Sequence, residues 1–410
     1  NTEIETADLL LPDTETVVTV EKTAPAGLKL SMPKESHLYD EVSTDQYVRA
    51  EAELVLEGMR FRIAATENID VAPAVEIKEV SPSPCVRTIE TPGHCNVLNV
   101  TLTNHQPAPF RGTLTIDESG RQTIGTHQLT RQLVLGPNET RVETLRENIA
   151  GTAKRVPARW TNPGSFVISI YRSDSNLPIT QEQVPLVFSE ARVVSNLRVG
   201  YIPSFDQTLE LSLAALGVDA KPLNAANVQE ADLSNNDTII IDNRGYEAHP
   251  ELIAANSHLL EFVQEGGTLI VFYHKDNEWN PDPGKNRPAL APYPMTLGGE
   301  RITNEKAPIR FLAPRHALMN FPNKIRQADF ENWIQERGLY YPREWDAHYA
   351  ALFSSNDPGE EPLRGGLLVA QYGKGNYIYT SMVWYRQLRA GVPGAYRMLA
   401  NMISYGHRNH

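Results

Sequence analysis

Two short stretches concentrate side chains that could hold a polar ligand. Asn243, Arg244, Tyr246 and Glu247 follow the apolar run Thr238–Asp242, while Tyr273, His274, Lys275 and Asp276 stand at the exit of Thr268–Tyr273. Near-continuous apolar runs of this kind are strands buried on both faces of a parallel sheet. Open α/β sheets bind ligands beyond the carboxyl ends of such strands. Arg and Lys suit an anionic or polyhydroxyl ligand, and Tyr offers a stacking face. Arg386 and Gln387 approach after the last strand. The candidate ligand-binding set is therefore Arg244, Tyr246, Glu247, Tyr273, His274, Asp276 and Arg386. The competing reading makes them ordinary loop residues with structural hydrogen bonds. No catalytic residue is assigned, because the turn Tyr273–Asp276 carries neither Cys nor Ser where a strand–turn–helix nucleophile would sit.

The two cysteines, Cys85 and Cys95, are ten residues apart in a segment containing Pro and Gly. That spacing suits a small disulfide loop between neighbouring strands, which implies an oxidising compartment. Two buried free thiols are the alternative. No metal and no cofactor are expected. Only His94 lies near the cysteines, and a zinc site needs three or four converging ligands. Gly373-Lys374-Gly375 lacks the spacing of a phosphate loop and reads as a hairpin turn. Three Asn-x-Thr tripeptides, at Asn99, Asn138 and Asn236, match the glycosylation pattern, which is common by chance.

The elements that must position these residues differ between the two halves of the chain. Up to about Phe188 the pattern is β-like, with strand-length alternation in Thr16–Val20, Tyr47–Leu54, Met59–Ala64, Val97–Thr103, Gly112–Ile116, His127–Leu135 and Ser165–Tyr171. Turn clusters separate these runs, which predicts antiparallel sandwiches with a joint at Val71–Ala74. From Leu197 on, strands alternate with helices: Arg198–Ile202, a helix ending at Gly217, Thr238–Asp242, a helix entered at Pro250, then Thr268–Tyr273. This alternation predicts right-handed βαβ units and a doubly wound sheet. After an irregular stretch from His274 to about Arg310, Asp329–Arg337 reads as a helix, Gly366–Ser381 as a hairpin and Ala395–Ser404 as a last helix. The predicted domains are 1–74, a β-sandwich module; 75–192, an immunoglobulin-like sandwich; and 196–408, an α/β domain.

Composition narrows the class. A chain of 410 residues exceeds one ordinary core. Its formal charge of -12 argues against nucleic acid and anionic membrane surfaces as partners. No apolar run approaches the roughly 20 residues that span a bilayer. Beginning on Asn1 without a leader, the sequence reads as a processed product or as a piece cut from a longer chain, with an upstream segment as an open expectation.

Several segments carry a resemblance. They include Val199–Asp206, Gly266–Val271, Ala291–Thr296, Pro322–Ile325, Trp333–Tyr340, Asp357–Pro362, Gly365–Ala370 and Gly391–Arg397. Together they resemble the C-terminal region of large, secreted bacterial LmbE/PIG-L family deacetylases, which follow a zinc deacetylase domain with immunoglobulin-like sandwiches and a class I glutamine-amidotransferase-like domain. The resemblance covers about 196–408 and is only architectural before that. It implies a flavodoxin-like fold, secretion or a periplasmic location, a glycan or amino-sugar ligand, and an upstream deacetylase domain as partner. The family's zinc signature A-H-P-D-D-E has no counterpart here. Ala248-His249-Pro250-Glu251 imitates its start, but Leu252 and Ile253 follow, and the remaining pair, His407 and His410, lies at the extreme C-terminus. The reading is a non-catalytic accessory region. The alternatives are a hydrolase with His274 or Glu247 as base, and a structural or oligomerisation module.

Overall fold

The computed structural model describes residues 47–56, 59–68, 73–91, 95, 97–119, 128–146 and 164–407. The predicted strand Thr16–Val20 lies outside them. The chain divides into two compact units, one of residues 1–35 and 40–73, the other of 36–39 and 74–410. In the first, β1 (Tyr47–Leu56) and β2 (Met59–Asn68) form an antiparallel hairpin.

The second unit begins with a β-sandwich. Its strands are β3 (Val75–Ser81), β4 (Cys85–Thr88), β5 (Val97–Asn104), β6 (Phe110–Ser119), β7 (Gln128–Leu135), β8 (Thr140–Arg146), β9 (Gly164–Arg172) and β10 (Pro178–Ser189). They make a three-stranded sheet, β3-β5-β8, and a five-stranded one, β4-β10-β9-β6-β7. Alternate residues of both sheets, such as Val100, Leu102, Leu114, Phe166 and Ile168, share one core, as period-2 patterning requires. Cys85 and Cys95 form a disulfide, with Cα atoms 5.7 Å apart.

The rest of the unit is a mixed α/β layer. In chain order it comprises β11 (Val199–Ile202), α1 (Thr208–Ala215), β12 (Lys221–Pro222), β13 (Thr238–Ile241), α2 (Gly245–Ala248), α3 (Leu252–Glu265), β14 (Thr268–Val271) and α4 (Asp276–Trp279). Then come β15 (Met295–Leu297), β16 (Arg310–Phe311), β17 (Pro342–Trp345), β18 (Ala350–Ala351), β19 (Phe353–Ser354), β20 (Leu367–Tyr372), β21 (Gly375–Thr380), α5 (Trp384–Arg389) and α6 (Pro393–Ser404). The main sheet runs β12-β11-β13-β14-β21-β20-β18. The first five of these strands are parallel; β20 and β18 join antiparallel. Both faces are buried. Ile240 and Ile270 pack into the core that holds residues of α1, α5 and α6, while Ile239, Ile241 and Leu269 pack into the one that holds residues of α3.

One predicted helix is corrected. In place of the helix Asp329–Arg337, a short 3₁₀ turn, Gln327–Phe330, overlaps only its first two residues. Asn332 and Gln335 take positive φ, which ends any helix. The buried Phe330 and Trp333, three residues apart, mimic helical spacing. Sequence patterning also passed over β3, β4, β8 and β10.

Candidate functional site

The strand order places a reversal at β11, with β12 on one side and β13 on the other. Helices fed from such a point leave on opposite faces, and the carboxyl ends of the two diverging strands are where open α/β sheets hold their ligand crevices. Pro203, Ser204, Phe205 and Asp206 leave β11 there, and Asp242, Asn243 and Arg244 leave β13. Ser204 Oγ donates to Asp242 Oδ2 at 2.7 Å, and the Asn243 N–H donates to Asp242 Oδ1 at 2.8 Å. Burial pushes the Asp242 carboxyl up to about 7; the two hydrogen bonds oppose this and nearby Asp206 adds to it. Asp206 is itself paired with Arg389, which also donates to Thr208 Oγ1.

Asn243 is 1% exposed, and its Nδ2 has no hydrogen-bond partner among the described residues. A buried donor left unpaired costs about 1–3 kcal/mol. Phe205 is 37% exposed at the lip, with the Arg244 guanidinium carbon 5.3 Å from its ring centre.

The predicted residues lie one strand further along, where β13 and β14 end. Arg244 has the left-handed φ of 56°, and its N–H donates to the Tyr273 carbonyl at 2.8 Å, which ties the two turns together. Its side chain bonds Glu278 at 2.8 and 3.1 Å and also pairs with exposed Glu247. His274 is fully buried. Its Nδ1–H donates to the Phe272 carbonyl at 2.9 Å, and its Nε2 accepts the Tyr246 N–H at 3.2 Å. Burial pulls its pKa down to about 4, so it stays neutral with both nitrogens engaged. Tyr246 is buried against His274 and Trp279, its hydroxyl donating to Asn256 at 2.5 Å.

Tyr273 is also buried, its ring stacked between Tyr340 and Tyr385 with centroids 6.4 and 5.7 Å away. Burial drives its phenol far above the usual range, and the same hydroxyl hydrogen-bonds Tyr385. Arg386 Nε donates to the Tyr385 hydroxyl at 2.7 Å and its Nη2 pairs with Glu336 at 3.1 Å. Asp276 opens α4 and accepts the Asn277 N–H at 2.8 Å. The fold thus brings Arg244, Tyr246, Glu247, Tyr273 and His274 together, and carries Arg386 to Tyr273 through Tyr385. Glu247 and Asp276 keep the most solvent contact. His249 lies between α2 and α3, its Nε2 3.0 Å from the Pro203 carbonyl.

Ser204, Asp242 and Glu278 escaped the sequence reading. A usable signal existed for Asp242, an acid directly after a buried strand of one Thr and three Ile. Ser204 and Glu278 carry no local signal; only strand order and loop packing bring them in.

No family model matches the chain, and no curated protein does. Among solved structures, the chain is similar to a β-galactosidase from Rahnella, at 18% identity over 50% of this chain and 31% of that one, with a TM-score of 0.28. A cytoplasmic protein from Salmonella typhimurium is matched at 16% identity over 51% of this chain and 97% of that one, with a TM-score of 0.35. For a β-galactosidase from Bacillus circulans the identity is 12%, the shares 51% and 31%, and the TM-score 0.32. The chain therefore spans about a third of the length of the β-galactosidases it matches. These scores are too low to transfer fold or activity, and the deacetylase resemblance rests on sequence segments alone.

Proposed function

We propose that this chain is a non-catalytic accessory region of a secreted LmbE/PIG-L-type de-N-acetylase, with a flavodoxin-like, amidotransferase-like domain that engages a saccharide. The observation that carries the reading is the state of the turn after β14. In place of a nucleophile it presents His274, buried, neutral and fully hydrogen-bonded between two strand ends. Such a residue fixes the turn and has no lone pair free to act as a base. The saccharide would sit at the carboxyl ends of β11 and β13, where half-exposed Phe205 offers a ring face.

One observation favours the hydrolase alternative. Asp242 has the pKa that a general base needs near neutrality and receives a hydrogen bond from Ser204 Oγ. Among the described residues no imidazole is seen to orient this pair: His274 is committed elsewhere and His249 is held by the Pro203 carbonyl.

Titrating the chain with N-acetylglucosamine oligomers while following acetate release tests both readings. Binding without turnover is expected, and Phe205→Ala should weaken it by about fivefold or more, as loss of one stacking contact does. Turnover that vanishes in Asp242→Asn would overturn the non-catalytic assignment. Binding unchanged in Phe205→Ala would remove the crevice from consideration.

A further inference from the structure

A second concavity, sharing no residue with the crevice, lies where the sandwich meets the α/β layer. It is an open groove of about 260 Å³, lined by Ile89 and Glu190 from the sandwich side, by Arg192, and by Asn323, Lys324, Arg326 and Arg397 from the α/β side. Four cations thus line it against Glu190, with Asp329 behind Arg397, on a chain whose net charge is -12. The general field of the protein is negative, so this local reversal is a property of the cleft.

The scaffold beneath it is rigid. Asn323 Oδ1 accepts the Arg192 N–H at 2.9 Å while its Nδ2 donates to the Arg192 carbonyl at 2.8 Å and to Asn401 Oδ1 at 2.9 Å. Arg397 is committed, its Nε 2.8 Å from Asp329 Oδ1 and its Nη2 donating to the Lys324 carbonyl at 2.7 Å. Arg192 and Lys324 are thereby fixed by their backbones. Among the described residues, Arg192, Lys324 and Arg326 have no ion-pair partner. Glu190 and Asp329, which feels the charge of Arg326, offset only part of this positive charge, and a multivalent anion would offset the rest.

We propose that this cleft binds a small ligand carrying two or more oxyanion groups, held by Arg192, Lys324 and Arg326 across the joint between the two layers. A diphosphate or a tricarboxylate is compact enough to lie within a cleft of this size. Because both layers contribute to the cleft, the bound anion also stabilises their joint.

Pyrophosphate and citrate, titrated separately into the full chain at low salt, are the probes and separate a phosphate from a carboxylate preference. At least one should bind, raise the melting temperature, and lose affinity as salt is added. Arg192→Gln combined with Arg326→Gln should weaken that binding by about tenfold or more. Lys324→Gln, a single exposed change, provides the same reading with less risk to folding. Phe205→Ala, in the crevice, should leave the anion affinity unchanged. Failure of both probes to bind overturns the proposal, as does equal affinity in the cleft variants. Anion binding that responds only to Phe205→Ala overturns it too, and that result would leave the saccharide reading intact.

Discussion

Asp242 and His274, at the ends of neighbouring strands, are buried titratable groups whose burial moves their pKa values in opposite directions. Asp242 in the folded chain titrates at about 7, against 3.8 when exposed. Between those values the folded state keeps a proton that the unfolded state has released. Its contribution is therefore most favourable below 3.8 and is lost as pH rises through 7. His274 titrates at about 4, against 6.5 when exposed. Here the unfolded state takes up a proton that the folded state refuses, so stability is present above 6.5 and lost as pH falls toward 4. Over their common window the two slopes oppose each other. Asp242→Asn removes one of them. We expect the variant to gain stability relative to the parent as pH rises through that window, by on the order of 2–4 kcal/mol. Urea denaturation of both proteins at about pH 4.5 and about pH 7 measures this, and a pH-independent difference would sink it. At this scale the sequence showed which residue types collect at strand ends. It could not show that Tyr246, Tyr273 and His274 point inward, because burial there depends on Trp279, Tyr340 and Tyr385 arriving from distant segments.

At the scale of elements, legibility followed how local each determinant is. The run Thr238–Ile241 is buried throughout and was readable because every residue in it is apolar or β-branched. The hairpin of β20 and β21 was readable from Gly373-Lys374-Gly375. Gly373 takes φ of +60° in a two-residue turn, as a primed hairpin turn requires. The second glycine has a tertiary cause that no local pattern reveals. A Cβ on Gly375 would stand 2.1 Å from the Gly267 carbonyl oxygen and 2.2 Å from that of Val263, both backbone atoms at the end of α3. The hairpin is thus pressed onto the helix terminus, where the Lys374 N–H also donates to the Gln264 carbonyl. Gly375→Ala should destabilise the fold by about 3 kcal/mol, because backbone cannot yield as a flexible side chain would. Lys374→Ala, which keeps the backbone bond, should cost less than about 0.5 kcal/mol. Similar midpoints for the two variants in urea would remove this account. β4, β8 and β10 were missed for the opposite reason. Polar residues such as Arg87, Glu143 and Gln183 interrupt their alternation, and it is sheet pairing that completes them.

At the scale of the whole second unit, the sandwich and the α/β layer are joined by more than a linker. Val86, Val187 and Ala191 belong to the same core as Leu213, Trp384 and Leu399. Thr91 Oγ1 donates to the Ala215 carbonyl at 2.5 Å, and Ser189 Oγ donates to the Pro393 carbonyl at 2.9 Å. Continuous apolar burial of this kind couples the stabilities of its two sides, whereas a hinge would leave them independent. The disulfide provides a way to perturb one side alone, since Cys85 and Cys95 both lie in the sandwich core. Opening a loop this short should cost about 2–3 kcal/mol, through the extra freedom given to the unfolded chain. Trp279, Trp333, Trp345 and Trp384 all lie in the α/β layer, so in a Trp160→Phe background their fluorescence reports on that layer. Replacing both cysteines by Ala should then lower the fluorescence midpoint in step with the loss of β-sheet circular dichroism. The coupling runs through the buried contacts at Val187 and Ala215. An unmoved fluorescence midpoint beside a lowered sheet signal would mean that the shared core is too weak to bind the layers into one folding unit.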